Sequence, residues 1–213
     1  MSYRTVVFDL DGTLLDTIEL IVASHRHALR TVLDRDESDE VLRAGIGVPL
    51  LEQMRAFDAD RSEELFDTYR AFNHERHDDY VREYEGVLDV VAELRDAGVA
   101  IGIATSKMMD AVELAYASCP RLRELVEATV ALESTATHKP GPEPVLHALE
   151  LLGRPREGAC YVGDAPTDLA SAHAAGVDAI AVTWGAFPRG PLELARPHAI
   201  AETPAELRAI LLA

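Results

Sequence analysis

Apolar and polar positions along this 213-residue chain follow two patterns, short apolar runs and longer stretches of helical periodicity. Runs rich in β-branched and other apolar residues predict buried strands at 5–8, 99–104, 128–132, 159–162 and 179–182. Helical patterns occupy 87–97, 110–117, 142–152, 166–175 and 204–212. This strand–helix alternation predicts an α/β fold in which helices cover both faces of a doubly wound parallel sheet.

Residues 16–85 interrupt this alternation. They show helical patterns near 17–33, 38–44, 50–56 and 61–81, and no segment there is typical of a strand. The chain is therefore expected to divide into a core, formed by residues 1–15 and 86–213, and an inserted all-helical subdomain of residues 16–85.

The composition is that of an ordinary soluble protein, with 48% hydrophobic and 27% charged residues, but the charge balance is unusual. The 37 acidic residues outnumber the 20 basic ones and give a formal net charge of -17. The field of such a protein repels polyanions, so neither nucleic acid nor an anionic membrane is expected as a partner. At first sight the same field also disfavours an anionic substrate.

Two further features bear on the cellular setting. Cys119 and Cys160 are too few for a disulfide framework or a four-ligand zinc site. Asp9 ends the N-terminal apolar run too early for a signal peptide, and no segment reaches the roughly 18 apolar residues of a membrane span. A cytoplasmic location is expected.

Two carboxylates follow the first predicted strand directly, in the run Asp9-Leu10-Asp11-Gly12-Thr13. In an open parallel sheet, ligands bind beyond the carboxyl ends of the strands. Side chains spaced by two along an extended segment face the same side, so Asp9 and Asp11 are expected to share a site. The pair suits either Mg²⁺ ligation or a nucleophile acting with a general acid, and an Asp-Gly turn is the alternative.

A second acidic pair follows the predicted strand at 159–162. Asp164 precedes a helix that Pro166 opens, and Asp168 lies one turn into that helix. Helix capping alone would account for an aspartate at either position. Together with Asp9 and Asp11, however, up to four carboxylates converge on one sheet edge, which is unfavourable unless a cation lies among them.

The basic residues comprise 18 arginines and two lysines, and both lysines fall at this same predicted edge. Lys107 follows Thr105 and Ser106 at a helix start, where hydroxyl and backbone N–H groups bind anions. Lys139 follows the fourth strand region, and its compact ammonium suits a phosphate oxygen. A helix cap at Thr105 and a solvated loop lysine at Lys139 are the alternatives.

Four motifs thus occur in order, each at the end of a predicted strand: Asp9-x-Asp11-Gly-Thr13, Thr105-Ser106, Lys139-Pro140 and Gly163-Asp164-x-x-x-Asp168. This set resembles the haloacid dehalogenase superfamily over essentially the whole chain. The resemblance implies a Rossmann-like core, and the helical insertion is similar to the small helical cap of that superfamily. Ala165 and Ser106 depart from the commoner residues of the family, and neither change removes a primary group.

The resemblance also implies a role for each motif residue. Asp9 would be the nucleophile that forms an aspartyl-phosphate, and Asp11 would be the acid and base at the leaving oxygen. Mg²⁺ would be held by Asp9, Asp164 and the backbone carbonyl of Asp11, with Asp168 at or behind the metal shell. Lys139 would neutralise charge on both the nucleophile and the phosphate, and the remaining residues would bind the phosphoryl group: Thr105, Gly12, Thr13 and Ser106.

Residues of this chain exclude two branches of the superfamily. Dehalogenases lack a carboxylate at the position of Asp11, and carbon–phosphorus hydrolases need a cap lysine, whereas residues 16–85 contain none. The expected activity is Mg²⁺-dependent hydrolysis of a small phosphomonoester such as phosphoglycolate. Inorganic pyrophosphate is the main alternative substrate, because parts of the cap resemble bacterial pyrophosphatases. A phosphomutase and a non-catalytic receiver-like module are the further alternatives.

The helical insertion offers several donors for a second anionic group: His25, Arg26, His27, His74, Arg76 and His77. The chosen substrate-binding candidates are Arg26, Asn73 and His77, of which Asn73 and His77 share a helical face at a spacing of four. His25 lies on an apolar stripe and is equally typical of core packing. The expected protein is a monomer or homodimer that acts on a small phosphorylated metabolite or on pyrophosphate.

Overall fold

The computed structural model describes residues 3–213, which form a six-stranded parallel sheet covered by helices. The strands in chain order are β1 (Thr5–Phe8), β2 (Leu15–Asp16), β3 (Arg82–Glu83), β4 (Ala100–Ala104), β5 (Ala128–Val130), β6 (Ala159–Gly163), β7 (Asp178–Val182) and β8 (Ala199–Ala201). The sheet has the order β5-β4-β1-β6-β7-β8, while β2 and β3 form a separate antiparallel pair. The predicted fold class, a doubly wound parallel sheet, is confirmed.

Helices fill the connections between these strands. In chain order they are α1 (Ile18–Leu33), α2 (Asp39–Ala44), α3 (Leu50–Phe57), α4 (Ser62–Tyr80), α5 (Val87–Asp96), α6 (Met109–Ser118), α7 (Pro120–Leu125), α8 (Glu143–Leu151), α9 (Pro166–Ala175), α10 (Arg189–Leu194) and α11 (Pro204–Leu212). Within residues 3–213, none of them combines the length and the apolar composition that a bilayer crossing needs.

The five predicted strands are all present, with ends that differ by at most two residues from the prediction. The pattern did not predict β8, α7 or α10, because three to six residues are too few to show a period. The expectation that residues 16–85 hold no strand is wrong at both ends, where Asp16 pairs with Arg82 and Leu15 pairs with Glu83. Two-residue strands of this kind leave no trace in hydrophobic periodicity.

Strand β1 lies at the centre of the sheet and is buried on both faces. Phe8 contributes to a core on one face, together with Leu94 of α5 and Ile101 of β4. Val7 contributes to the core on the other face, which includes Leu169 of α9. Burial on both faces explains why β1 reads as an unbroken apolar run rather than as alternating polar and apolar residues. The residues that follow β1 therefore emerge at the middle of the sheet edge.

Helices α1 to α4 have an apolar core of their own. Leu29, Leu42, Met54 and Leu65 are all at most 1% exposed within it. Ala186, from the segment between β7 and α10, packs into the same cluster and joins the helical segment to the sheet. The division into a catalytic core and a cap of residues 16–85 stays a prediction.

Candidate active site

Three adjacent strands bring the motif residues to one edge of the sheet. Asp9 follows β1, Thr105 follows β4 and Asp164 follows β6, and β1 lies between β4 and β6. The backbone N–H of Asp9 still donates to the Val162 carbonyl oxygen at 2.8 Å, so the first residue beyond β1 is held by the neighbouring strand. This edge is where ligands bind in open α/β sheets.

Lys139 is bound between two carboxylates at this edge. Its Nζ donates to Asp9 Oδ1 at 2.9 Å and to Asp168 Oδ1 at 2.6 Å, and its side chain is 1% exposed. The hydroxyl of Tyr161 lies 3.2 Å from the same Asp168 oxygen and 2.6 Å from the Ala104 carbonyl oxygen. Burial disfavours the charged ammonium, but Asp168 and Asp9 outweigh it and hold the pKa of Lys139 well above its usual value.

The carboxylates of Asp9, Asp164 and Asp168 form a buried cluster in which one oxygen of each lies within 4.8 Å of the others. Burial raises the pKa of Asp9 to about 7, with Lys139 opposing the rise and Asp168 reinforcing it. Burial, followed by the charges of Asp168 and Asp9, also raises the pKa of Asp164 well above its usual value. Three acidic groups with one buried ammonium leave a local excess of negative charge.

This donor set fits Mg²⁺, which prefers oxygen ligands and bridges carboxylates to phosphate. Both oxygens of Asp168 already accept hydrogen bonds, Oδ1 from Lys139 and Oδ2 from the Ala165 N–H at 3.0 Å. In contrast, Oδ2 of Asp9 accepts no hydrogen bond from residues 3–213. Asp9 is therefore better placed than Asp168 to be a direct ligand, and Asp168 would hold Lys139 behind it.

Asp11 departs from the expected convergence of four carboxylates. Its Oδ1 accepts a hydrogen bond from Lys107 Nζ at 2.8 Å, and it does not belong to the three-carboxylate cluster. Strand β1 ends at Phe8 and the chain turns at Gly12, where φ is +77°, so the side-chain alternation of an extended strand does not extend to Asp9 and Asp11. Asp11 and Asp9 nevertheless line the same cavity, as the sequence predicted for the pair.

Gly12 and Thr13 lie behind Asp164 rather than in the cavity. A Cβ at Gly12 would overlap the Asp164 carboxylate, so both the positive φ and the close approach require glycine. The hydroxyl of Thr13 lies 3.4 Å from Asp164 Oδ1, and the Ala186 N–H donates to Asp164 Oδ2 at 2.5 Å. Gly12 and Thr13 do not line the cavity and instead contact Asp164, and their predicted phosphate contacts stay a prediction.

A cavity of about 90 Å³ lies between the sheet edge and the helical segment. Asp9, Asp11, Thr105 and Lys139 form its floor. Its roof includes Gly47, whose carbonyl oxygen accepts a hydrogen bond from the Ser106 hydroxyl at 2.8 Å. The predicted catalytic residues are therefore brought together, and residues from the helical insertion close the space above them.

Of the three substrate-binding candidates in the helical insertion, one lines the cavity and two do not. Asn73 lines the cavity, and its Nδ2 donates to the Ser24 hydroxyl at 3.1 Å. Arg26 is instead paired with Asp36 and Asp39 on the outer side of α1. Arg26 does not line the cavity in this structure, and its predicted substrate contact stays a prediction.

His77 also lies away from the cavity. It is buried, and its Nδ1 lies 3.2 Å from both Asp78 Oδ1 and the Ser118 hydroxyl at the end of α6. One helical turn, about 5.4 Å, separates His77 from Asn73 along α4. This distance is enough to place His77 outside the cavity that Asn73 lines. The shared helical face was correct, but only one of the two residues reaches the cavity.

Three other polar residues line the cavity; His74 was among the donors expected from the sequence, whereas Arg70 and Gln53 were not predicted. Arg70 and His74 lie on the same face of α4 as Asn73, and Gln53 extends from α3. Burial lowers the pKa of His74. The spacing of 70, 73 and 74 along a helix was a usable signal, because positions three and four apart are neighbours on its surface.

Comparison with known proteins agrees with this geometry. The family model of haloacid dehalogenase-like hydrolases matches residues 6–182, so the chain belongs to that family. Pyrophosphatase PpaX of Bacillus cereus (strain AH820) is 37% identical over 211 residues, which cover 99% of this chain and 97% of that protein. Pyrophosphatase PpaX of Bacillus mycoides (strain KBAB4) is also 37% identical, with 99% and 98% covered. The chain is accordingly a phosphatase of the haloacid dehalogenase type.

Solved structures share the fold along the whole chain. A proposed phosphoglycolate phosphatase from Lactobacillus delbrueckii subsp. bulgaricus superimposes with a TM-score of 0.91 at 21% identity, covering 100% of both chains. A haloacid dehalogenase-like hydrolase from Bacteroides fragilis gives a TM-score of 0.88 at 26% identity, covering 97% of this chain and 100% of that one. The core and the helical insertion therefore both occur in relatives.

Proposed function

We propose that this phosphatase hydrolyses a small anionic phosphoryl compound with the help of Mg²⁺, through an aspartyl-phosphate on Asp9. The observation that supports the proposal is the pairing of Asp9 with Lys139 on the floor of the cavity. Phosphoryl transfer needs an aligned nucleophile and cations that neutralise the phosphoryl oxygens. Buried Lys139 supplies one such cation directly beside the nucleophile.

The proposed reaction has two steps. In the first, an oxygen of Asp9 attacks phosphorus, the bond to the leaving oxygen breaks, and Asp11 gives that oxygen a proton. In the second, a water oxygen attacks the phosphorus of the aspartyl-phosphate, and Asp11 takes a proton from the water. The second step releases orthophosphate and restores the Asp9 carboxylate. Thr105 and Lys139 line the cavity floor and would bind the phosphoryl oxygens.

Asp9 and Asp164, with the backbone carbonyl of Asp11, are the proposed Mg²⁺ ligands. When bound, Mg²⁺ adds positive charge at the nucleophile and at the phosphoryl oxygens. Asp168 keeps Lys139 in place, because the Lys139 ammonium lies 2.6 Å from it and the Tyr161 hydroxyl lies on the same oxygen. This support keeps the positive charge beside Asp9 through both steps.

We propose inorganic pyrophosphate as the preferred substrate. The proteins that are 37% identical over 99% of the chain are pyrophosphatases, whereas the likeness to a proposed phosphoglycolate phosphatase at 21% identity concerns the fold. The order of the two substrates expected from the sequence motifs is thereby reversed. The cavity volume of about 90 Å³ also favours a compact substrate over a nucleotide or a polymer.

A small phosphomonoester is the second candidate, and one feature of the cavity favours it. Ile21, Ile46, Val48 and Leu50 form an apolar part of the lining. Apolar side chains are better partners for a carbon moiety than for a second phosphate group, which must keep its hydrogen bonds on desolvation.

A phosphate-release assay tests the proposal. We expect orthophosphate from pyrophosphate, and less from phosphoglycolate, sugar phosphates and nucleotides, with activity lost in EDTA. Asp9→Asn should lower turnover by about 10³-fold or more, because the amide cannot form the covalent intermediate. Asp96→Asn, a change at an exposed carboxylate on α5, is the matched control and should leave the rate unchanged.

Other results would reject parts of the proposal. Release of phosphate by Asp9→Asn at the wild-type rate would exclude Asp9 as nucleophile, and full activity in EDTA would exclude the metal. Transfer of phosphate to an acceptor sugar without release would indicate a phosphomutase. Stable phosphorylation without turnover would indicate a receiver-like module.

A further inference from the structure

Lys107 occupies a distinct place in the cavity. It lies between β4 and α6, its side chain is 9% exposed, and its Nζ donates to Asp11 Oδ1 at 2.8 Å. The residue lines the same cavity as Asp9 and Lys139. In the proposed reaction Asp11 protonates the leaving oxygen, so an ammonium bonded to Asp11 lies on the leaving-group side of the phosphorus.

The two lysines of the chain differ in how far their hydrogen-bonding capacity is used. Lys139 Nζ contacts two carboxylates, those of Asp9 and Asp168. Lys107 Nζ contacts one, and within residues 3–213 that carboxylate of Asp11 is its only side-chain partner. An ammonium has three N–H donors, and donors shielded from water gain from an acceptor placed in the same cavity. Lys107 therefore has donors to offer to a bound anion.

The neighbouring basic side chains are less suited to this task. The guanidinium of Arg70 is paired with Asp110 at the start of α6. His74 also lines the cavity, but burial lowers its pKa and so favours its neutral form. Lys107 is thus the cation with open donors on the side of the cavity where the leaving group departs.

We propose that Lys107 is a specificity-determining residue that binds the negatively charged part of the leaving group, so that the enzyme selects substrates with a second anionic group close to the scissile bond. This inference rests on the proposed function. With pyrophosphate, the phosphorus–oxygen bond to the departing phosphate breaks, its electron pair stays on that oxygen, and Asp11 supplies the proton. Lys107 neutralises the remaining negative charge of the departing phosphate. With phosphoglycolate, the same ammonium binds the carboxylate.

A matched pair of substrates tests this role. Phosphoglycolate and 2-hydroxyethyl phosphate have nearly the same size and scissile bond, but only phosphoglycolate has an anionic leaving group. For Lys107→Met, which keeps the aliphatic stem, we expect kcat/KM to fall about 10- to 100-fold for phosphoglycolate and pyrophosphate, as expected on losing a charged hydrogen bond. The fall for 2-hydroxyethyl phosphate should be clearly smaller, because loss of the Lys107–Asp11 ion pair affects both substrates alike, whereas only the anionic leaving group also loses a charged partner.

Two further variants serve as references. Lys107→Arg keeps the charge and should recover part of the selectivity for anionic leaving groups. Arg154→Met removes a positive charge from an exposed position outside the site and should leave the ratio of the two substrates unchanged. Circular dichroism and thermal melting of each variant establish that it is folded before the rates are compared.

Ligand binding gives a measurement that does not depend on turnover. Calorimetry on wild type and Lys107→Met compares two ligands. Methylenediphosphonate has a second anionic group, and methylphosphonate has none. Selective loss of methylenediphosphonate affinity in the variant is the expected result.

The outcomes separate the inference from the function on which it rests. Equal losses for charged and neutral leaving groups, or no loss for either, would reject the selective role of Lys107 while the phosphatase assignment of Asp9 stands. Failure of the wild-type protein to release phosphate from any of these substrates with Mg²⁺ would reject the proposed function, and this inference with it.

Discussion

At the scale of single residues, the site depends on buried polar groups whose partners are supplied from distant parts of the chain. Lys139 lies between Asp9 and Asp168, and Tyr161 supports the second of these carboxylates. A lysine suits this position because its ammonium is a compact point charge, whereas a guanidinium is a wide planar fork. In a chain with 18 arginines, the retention of a lysine at such a place is explained by this geometry.

His25 shows that a buried histidine in the helical segment is structural. Its Nδ1 lies 2.8 Å from the Ile21 carbonyl oxygen, and its ring packs edge-on against Phe57 and Tyr69. Of the two possibilities left open by the sequence, packing in the apolar stripe is the one found. Burial lowers the pKa of His25, so the folded protein holds it neutral.

This burial predicts a loss of stability in acid. The unfolded chain protonates His25 near pH 6.5, whereas the folded chain does so only at lower pH. The stability that depends on neutral His25 is therefore complete above about pH 6.5 and falls as the pH drops, by up to about 1.4 kcal/mol per pH unit. Denaturant unfolding between pH 8 and 5 should show a shallower decline for His25→Phe than for wild type.

The control for this prediction is His27→Gln, a change at an exposed histidine on the same helix. It should follow the wild-type pH profile. Parallel profiles for wild type and His25→Phe would show that other groups account for the acid sensitivity.

At the scale of elements, the loop between α2 and α3 connects the helical segment to the sheet edge. Ser106, after β4, donates to the Gly47 carbonyl oxygen, and Thr167, in α9, lies directly against Gly47. Gly47 has φ +94°, and an added Cβ would lie 2.5 Å from the Thr167 hydroxyl. The loop therefore approaches the sheet edge as closely as its backbone allows, and glycine is the residue that permits this approach.

Replacement of Gly47 tests whether this approach matters for catalysis. Gly47→Ala should lower kcat/KM about tenfold, because the loop must move away from Ser106 and a positive φ costs a non-glycine residue about 1–2 kcal/mol. Steady-state kinetics and thermal melting are the measurements. This result would also support the proposal that residues 16–85 act as a cap over the site.

Gly98→Ala is a matched control for the backbone cost. Gly98 has φ +81° but no neighbour within 4 Å of an added Cβ, and it lies between α5 and β4 at the far end of the strand from the site. We expect it to lower the melting temperature while leaving kcat/KM near the wild-type value. Equal kinetic effects of the two variants would contradict a specific role for the Gly47 contact.

At the scale of the whole molecule, the net charge of -17 gives a misleading picture of the site. The helical segment, residues 16–85, carries 18 acidic and nine basic residues, and its ion pairs such as Arg30–Asp36 lie at the surface. The site itself has two buried or nearly buried lysines facing its carboxylates. Local cations, rather than the sum of charges, determine whether an anion binds there.

The cluster of three buried carboxylates predicts that stability depends on Mg²⁺. Adding Mg²⁺ should raise the melting temperature of the wild-type protein by a few degrees, because the ion binds the folded state. Asp164→Asn should raise the metal-free melting temperature by about 2–4 °C, since it removes one of the mutually repelling charges, and should abolish the response to Mg²⁺.

Asp96→Asn serves here as the control for loss of a negative charge, because Asp96 is exposed. Its melting temperature should respond to Mg²⁺ as that of wild type does. An Asp164→Asn protein that retains the full Mg²⁺ response would show that Asp164 is not a ligand.

Sequence alone determined five of the six strands of the main sheet, the order of the motifs and the sheet edge on which they meet. Apolar runs such as Thr5–Phe8 are local signals, and the motif residues follow these runs directly. The family resemblance implied that Lys139 neutralises Asp9, but tertiary structure alone decided that Lys139 also pairs with Asp168 and that Lys107 pairs with Asp11, 96 residues away in sequence.

The same reason explains the results in the helical insertion. Helical spacing placed Asn73 and His77 on one face, but the position of α4 over the sheet decided that Asn73 reaches the cavity while His77 contacts Ser118. The sequence made Arg26 a candidate for binding an anionic substrate group, but its guanidinium pairs with the surface carboxylates of Asp36 and Asp39. Periodicity determines which way a side chain faces on its own element, whereas its partner depends on how that element packs against the rest of the molecule.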